Sequence, residues 1–378
     1  MATKRRQTLR VAMVGHAFMG RAHANAMRQA GRFFELPFDV ELAVVVGRDL
    51  ARAAAAAAKL GFAEGSRDLD AVLARDDIDL VDVATPNDSH APVAMAALRA
   101  GKHVLCEKPL ALSSQEAVAM AKLARASGRR VGLWHNYRRC PAASLAERIV
   151  RRGDIGRVRH VRATYLQDWL SSADVEASWR TESKRCGSGA HGDLNAHLID
   201  MTRFLTGLEF VEVSAIAATF TKSRPTGTGK RRRVDVDDAL AFLTRFDNGA
   251  LGTFEASRVA PGRKNHNRIE INGETGTVVW NLERMNELEL FRFEGDEDTR
   301  GFRTIMCMDE SHPYAANWWP DGHLLGYEHT FVNTFAEFVK SLRGRGRFRP
   351  DFDDGVAVQR VLDAASKSAR SRRWTKVG

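Results

Sequence analysis

The 378-residue chain carries a formal net charge of +10, is 44% hydrophobic and contains four cysteines. Its length is too great for one ordinary core and implies two domains. No apolar run approaches the roughly eighteen residues of a membrane span, and Cys106, Cys140, Cys186 and Cys307, with no Cys-x-x-Cys pair, argue against a disulfide framework and a structural zinc site. The basic residues are mostly scattered singly, and no helix joins a basic face to interleaved aromatics, so no nucleic-acid partner is expected. The densest run, Lys230 to Arg233, follows a Pro/Gly-rich stretch and is expected to be a solvated loop tip. The start, Met1 to Arg6, lacks the apolar core of a signal peptide, which makes the cytoplasm the expected location.

Leu9 to Val14 is an apolar strand running into Gly15-His16-Ala17-Phe18-Met19-Gly20 and then the Ala-rich helix Arg21 to Ala30. Strand, tight glycine turn and helix are the setting in which backbone N–H groups at a helix N-terminus face a pyrophosphate. The turn departs from G-x-G-x-x-G at its middle position, where Ala17 replaces glycine and still permits close approach. Further apolar strands (Val40 to Val46, Leu80 to Ala84, His103 to Cys106, Arg130 to Leu133) alternate with helices (Ala51 to Leu60, Ser89 to Ala100, and one capped by Ser113), so a parallel, doubly wound α/β sheet is predicted. Its ligand lies beyond the carboxyl ends of the strands. Two such ends carry chemistry, Thr85-Pro86-Asn87 with His90 and Glu107-Lys108-Pro109, and one more strand ends in Trp134-His135-Asn136-Tyr137.

Helix Pro141 to Arg152 opens a second domain, and Val158 to Leu166 alternates apolar with polar as a half-buried strand. The residues that follow, Gln167, Asp168 and Trp169, and later Arg180, are carboxamide, carboxylate, indole and guanidinium groups of the kind that grip polyols. Gly187-Ser188-Gly189-Ala190-His191-Gly192-Asp193 then leads into a helix whose four-residue spacing puts Asp193 and His197 on one face. The glycines suggest backbone approach to a ligand. Cys186, His191, Asp193 and His197 are conceivable as metal ligands, but His191 and His197 are six apart and out of phase on a helix, so no metal is expected. Strands Phe210 to Thr221, Val234 to Phe246, Ala250 to Ser257, Asn267 to Ile271, Thr277 to Trp280 and Leu288 to Phe293, joined by hairpin chemistry, predict a large, mainly antiparallel open sheet with that helix on one face, an α+β arrangement. Phe331 to Leu342 and Gly355 to Ser371 are closing helices, the second returning to the first domain. The expected division is 1–134 and 135–378.

Thr85-Pro86-Asn87, the run Gly101 to Ala111 with Glu107-Lys108-Pro109 at its centre, and the Asp193/His197 helix together resemble the Gfo/Idh/MocA oxidoreductases, named for glucose-fructose oxidoreductase and inositol dehydrogenase. The resemblance covers nearly the whole chain. It implies a Rossmann domain binding NAD or NADP, catalytic roles for Lys108, Asp193 and His197, and a homodimer or homotetramer formed through the open face of the second sheet. Gly15, Ala17, Phe18, Met19, Gly20, Arg48, Thr85, Pro86, Asn87, His90, Glu107 and Lys108 are then the cofactor-side candidates. Asn136, Tyr137, Gln167, Asp168, Trp169, Arg180, Asp193 and His197 are the substrate-side candidates. The second strand ends Val46-Gly47-Arg48-Asp49, where Arg48 suits a 2′-phosphate and Asp49 a ribose hydroxyl, so acceptance of NADP is expected without excluding NAD.

Segments 164–169, 187–190, 236–238, 301–303 and 312–314 are similar to the branch of the family that oxidises an anhydroglucose. They imply oxidation of a ring hydroxyl, C3 foremost, of an unphosphorylated carbohydrate or cyclitol. A reductase working the same site backward and a sugar-responsive regulator of the same fold are the alternatives; the presence of both Lys108 and His197 argues against the regulator.

Overall fold

In the computed structural model, which describes residues 7–344 and 346–378, the chain divides into two units: Met1–Asn136 with Gly326–Val356, and Tyr137–Leu325 with Ala357–Gly378. The basic start of the chain lies outside the described residues. The expected boundary after residue 134 lies two residues before the first of these divisions. The first unit takes back a C-terminal segment because its last strand needs one: Leu133 donates its N–H to the Pro350 carbonyl at 2.9 Å, and the Phe348 ring lies where a side chain on Gly132 would stand. An edge strand left bare is a template for wrong pairing.

The first unit is a six-stranded parallel sheet of β1 (Gln7–Val14), β2 (Phe38–Val46), β3 (Glu64–Ser66), β4 (Leu80–Val83), β5 (His103–Cys106) and β6 (Val131–Leu133). Their spatial order, β3-β2-β1-β4-β5-β6, reverses direction between β1 and β4, the position where such sheets open a crevice at the strand carboxyl ends. Helices α1 (Phe18–Phe33), α2 (Leu50–Leu60), α3 (Leu69–Leu73), α4 (His90–Arg99) and α5 (Ser114–Ser127) connect the strands, and the C-terminal helix Tyr327–Ser341 packs on α1. Val11, Ala12, Met13, Leu80, Val81, Val83 and Val104 are fully buried, as expected of strands covered on both faces.

The second unit begins with α6 (Pro141–Arg151) and β7 (Val158–Leu166), continues through α7 (Ser183–Cys186), a π turn (His191–Asn195) and α8 (Ala196–Thr206), and then builds a sheet. Its further strands are β8 (Phe210–Ala218), β9 (Ser223–Pro225), β10 (Arg231–Arg233), β11 (Ala239–Phe246), β12 (Leu251–Ser257), β13 (His266–Gly273), β14 (Gly276–Asn281), β15 (Glu287–Arg292), β16 (Arg303–Met306) and β17 (Thr375–Lys376). All of these strands except β9 and β10 form one nine-stranded sheet in the order β16-β15-β14-β13-β7-β12-β11-β8-β17, in which only β12 and β7 pair in parallel. One face, with Ala163, Tyr165, Phe242, Phe254, Ile269 and Ile271, is buried and receives α8. The other presents Ile216, Leu243 and Leu251 at 75%, 52% and 49% exposure.

Two expectations are corrected here. The run Lys230 to Arg233 is not merely a loop tip, since Arg231–Arg233 forms β10, pairing antiparallel with β9. The strand expected from Val234 starts only at Ala239, because Asp237 and Asp238 are diverted to hold neighbouring backbone. Among the described residues, no helix is long and apolar enough to cross a membrane.

Candidate active site

On the first unit, β1 delivers the chain into Gly15 at φ +96°, a conformation in which a Cβ would sit 2.6 Å from the Ala84 carbonyl oxygen. Gly20 is equally constrained, since a Cβ there would meet the Gly15 carbonyl at 2.4 Å. Ala17 is the N-cap of α1 and uses no side chain to cap it, which leaves the helix's first N–H groups for an anion. Phe18 is exposed and stacks over Tyr327, with Met19 half-buried behind it. The Thr85 hydroxyl across the turn is buried and has no hydrogen-bond partner among the described residues. This backbone cradle fits a dinucleotide. Arg48 is exposed in the β2–α2 loop, and Asp49 is occupied as the N-cap of α2, accepting from the Arg52 N–H at 2.9 Å.

His90 and Glu107 are turned inward. His90 is fully buried with Nδ1 2.8 Å from the Pro109 carbonyl and Nε2 3.0 Å from that of Thr85, and loss of solvation keeps its pKa below the ordinary histidine value. It braces the Thr85-Pro86-Asn87 and Lys108-Pro109 turns against each other. Asn87 is buried beside it, and Lys108, half-buried, begins the turn after β5 with a cis bond to Pro109. The Glu107 carboxylate faces a buried histidine, His23, and accepts the Lys108 backbone N–H at 3.1 Å. Asn136 is also buried, donating to the Thr330 hydroxyl at 2.7 Å, and so serves packing within this unit.

On the second unit, the segment before α8 is a π turn and not the start of a regular helix. The cause lies in Asp237. Its carboxylate accepts from the Gly189 and His191 N–H groups at 2.7 Å each, its carbonyl accepts from Ala190, and a Cβ on Gly189 would be 1.8 Å from that carbonyl. Gly189 thus admits a protein backbone and not a ligand, contrary to the sequence expectation. His191 is fully buried, with Nε2 2.9 Å from the Leu362 carbonyl and Nδ1 3.0 Å from the Asn195 amide, and burial lowers its pKa. Among the described residues, no group of three His, Cys, Asp or Glu side chains is placed to hold a metal ion.

The widened turn presents Asp193, partly exposed, and α8 presents His197, 6% exposed. Two tyrosines pack on the His197 ring: Tyr137 at 4.7 Å and Tyr165 at 5.7 Å between centroids. Their hydroxyls are 2.9 Å apart, and a polar chain continues from Tyr165 to the Asn265 side-chain oxygen (2.7 Å), which also accepts from Gln167 (2.8 Å); the Gln167 carbonyl in turn accepts from the Trp169 indole (2.9 Å). Asp193 accepts from Arg258 at 2.7 Å. The Arg258 guanidinium is buried, lies 5.4 Å from the Trp169 ring centre and donates to the Arg180 carbonyl at 3.3 Å. The Arg180 guanidinium itself lies over Trp179.

Asp168 departs from the group, pairing with Lys264 at 2.6 Å and accepting from Gly262, contacts that hold its pKa below the usual carboxylate range. Tyr165, Asn265 and Arg258 were not singled out from the sequence. Tyr165 is legible as an inward position of an alternating strand, whereas Arg258 carries no local signal beyond being a cation at the end of an apolar strand.

The glycine cradle at the switch point of a parallel sheet is that of a dinucleotide-dependent enzyme, and known proteins like it are oxidoreductases. A family profile described as "Oxidoreductase family, NAD-binding Rossmann fold" matches residues 9–135, and one described as "GFO/IDH/MocA C-terminal domain" matches residues 144–279. The chain belongs to the Gfo/Idh/MocA family and is an NAD-dependent oxidoreductase. It is 38% identical to levoglucosan dehydrogenase of Pseudarthrobacter phenanthrenivorans over 98% of each chain. Levoglucosan dehydrogenase solved in complex with NADH and levoglucosan superposes with a TM-score of 0.95 at 39% identity, covering 98% of this chain and 100% of that one. An oxidoreductase domain protein from Kribbella flavida superposes with a TM-score of 0.96 at 48% identity, over the same shares of the two chains.

Proposed function

We propose that the protein oxidises a secondary ring hydroxyl, C3 foremost, of an unphosphorylated sugar, anhydrosugar or cyclitol. The observation that carries this reading is the Asp193–Arg258 pair set beside His197 and the Tyr165–Asn265–Gln167–Trp169 chain. It joins fixed hydrogen-bonding groups to aromatic surface. Similarity to a levoglucosan dehydrogenase along the whole chain supports it.

NAD, when bound, supplies the ring that accepts hydride. His197 takes the hydroxyl proton, and Lys108 donates a hydrogen bond to the reacting oxygen where negative charge develops; the two exchange roles if the lysine is the proton acceptor. Asp193, fixed by Arg258, holds a neighbouring hydroxyl or orients His197. Gln167 and Trp169 grip the ring, and Arg180 supports them. The outer face of the second sheet, with Ile216, Leu243 and Leu251, serves in a homo-oligomer, a reading supported by three large apolar side chains on one exposed surface.

The test is nicotinamide absorbance over a panel of pyranosides, anhydrosugars, inositols and their phosphates. Turnover with unphosphorylated rings is expected. Preference for sugar phosphates or open-chain hydroxy acids rejects the reading, and cofactor binding without any turnover favours the regulator.

A further inference from the structure

His23 lies on the first turns of α1, inside the first unit, and is completely buried. Its two ring nitrogens face two carboxylates: Nδ1 is 2.9 Å from Asp82 Oδ2 on β4, and Nε2 is 2.9 Å from Glu107 Oε1 at the end of β5. A neutral imidazole has one N–H, so it satisfies one carboxylate and turns a lone pair toward the other; only the imidazolium donates to both. Each carboxylate also accepts elsewhere. Asp82 Oδ1 takes the Trp134 indole N–H at 2.8 Å, and Glu107 Oε2 takes the Lys108 backbone N–H. Such bonds favour the ionised acids over a shared-proton arrangement. The imidazole ring stacks on Trp134 at 4.0 Å and 17°, a face that suits a cation.

We propose that His23 is a standing imidazolium and the positioning residue that ties the dinucleotide-binding helix to the turn bearing Lys108. The chain of contacts runs from α1, whose N-terminus forms the glycine cradle, through the imidazolium to Glu107, and from Glu107 to the backbone N–H of Lys108. A shift of either α1 or the lysine turn strains a hydrogen bond between buried charges, where breaking one is costly. His23 touches neither cofactor nor substrate. The catalytic half of the proposal rests on the role given above to Lys108, while the charge state of the ring does not.

The surroundings agree with a cation. Burial opposes charge on the ring, but Asp82 and Glu107 outweigh it and push the pKa up to about 9, while burial of Glu107 is offset by His23, which holds its carboxyl below the usual range. The other groups facing this cluster are the buried Cys106 thiol, pushed well up by loss of solvation, Lys108, His90 of α4, whose pKa burial lowers, and the uncharged ring of Phe331.

Nitrogen-15 NMR of the intact, histidine-labelled chain, assigned with His23→Gln, tests the charge directly. At about pH 8, well above the ordinary histidine pKa, both His23 nitrogens are expected to carry protons. A neutral tautomer overturns the proposal whatever the enzyme does. The second arm compares His23→Gln with His23→Gln/Asp82→Asn, which removes the cation together with one of its counter-charges. The single variant is expected to lose about 10–100-fold in kcat, the scale of a ~1 Å misplacement near the chemistry, and to gain a carboxyl ionisation in its pH profile. The double variant is expected to recover about tenfold and to lose that ionisation. Equal losses in both, with an unchanged pH profile, reduce His23 to packing and overturn the positioning role. Should wild type fail to turn over any sugar, the function reading falls while the NMR result still stands or fails by itself.

Discussion

Arg258 reaches Asp193 at 2.7 Å from a position where its own side chain is 2% exposed, while the carboxylate it holds is 29% exposed. The arginine is therefore the rigid member and the aspartate the member open to a ligand. Arg258→Lys keeps the charge but loses the planar fork that also reaches the Arg180 carbonyl. It is expected to lower kcat/KM for the sugar by about 10–100-fold, by the same ~1 Å misplacement argument, with NAD affinity unchanged. Arg258→Met leaves Asp193 without its counter-charge and is expected to cost about 3 kcal/mol of stability, the lower end for broken buried pairs because the carboxylate is partly solvated. Steady-state kinetics and denaturant unfolding read the two effects separately.

Lys108→Ala and His197→Ala are each expected to lower kcat by about 10²–10⁴-fold, the usual worth of a positioned proton-transfer group. Cofactor affinity, measured by nicotinamide fluorescence, is expected to hold. Near-normal turnover in both variants removes them from the catalytic set.

One Asp49 carboxylate oxygen caps α2, and Arg48 beside it is exposed at the end of β2. Arg48→Ala is expected to reduce kcat/KM with NADP by about tenfold or more relative to NAD, the loss of a charge-assisted bond to a 2′-phosphate. An unchanged ratio of the two cofactors shows that Arg48 does not read the phosphate.

The raised pKa of His23 makes stability depend on alkaline pH. A group whose folded pKa lies above its unfolded one binds more protons when folded. The stabilisation is complete below 6.5, the unfolded value, and is lost as pH rises through about 9. The melting temperature of the wild type is expected to fall across that window by several degrees more than that of His23→Gln. Parallel curves for the two proteins contradict the assignment.

The sequence yields most where a residue's environment is local. The strict alternation of Val158 to Leu166 reproduces β7 at both ends, and the short apolar run His103 to Cys106 reproduces β5, because side-chain period and burial decide those strands. Asp193 and His197 are legible as a polar pair in an apolar stretch. What decides their setting is not local: Asp237 lies more than forty positions away in the chain, and it shapes the π turn. Arg258 is more distant still, 65 positions from Asp193. The same diversion of Asp237, with that of Asp238, shortened the strand expected from Val234, so long-range contacts of one short segment bear on both departures. Asp168, placed by composition among the polar groups of this segment, pairs with Lys264, another partner with no local signal in the chain.

The bond from Leu133 to Pro350 carries a consequence for synthesis on the ribosome. β6 emerges about 200 residues before the segment that completes it, which at roughly 5–20 residues per second is a wait of about 10–40 s. The nucleotide-binding half therefore begins folding first but is held incomplete until its 326–356 segment emerges, with Gly132 exposed until Phe348 arrives. A fragment ending at residue 134, the obvious cut for a stand-alone cofactor module, would keep that unfinished edge permanently and invite aggregation, whereas a fusion of residues 7–136 to 326–356 through a short linker would close it.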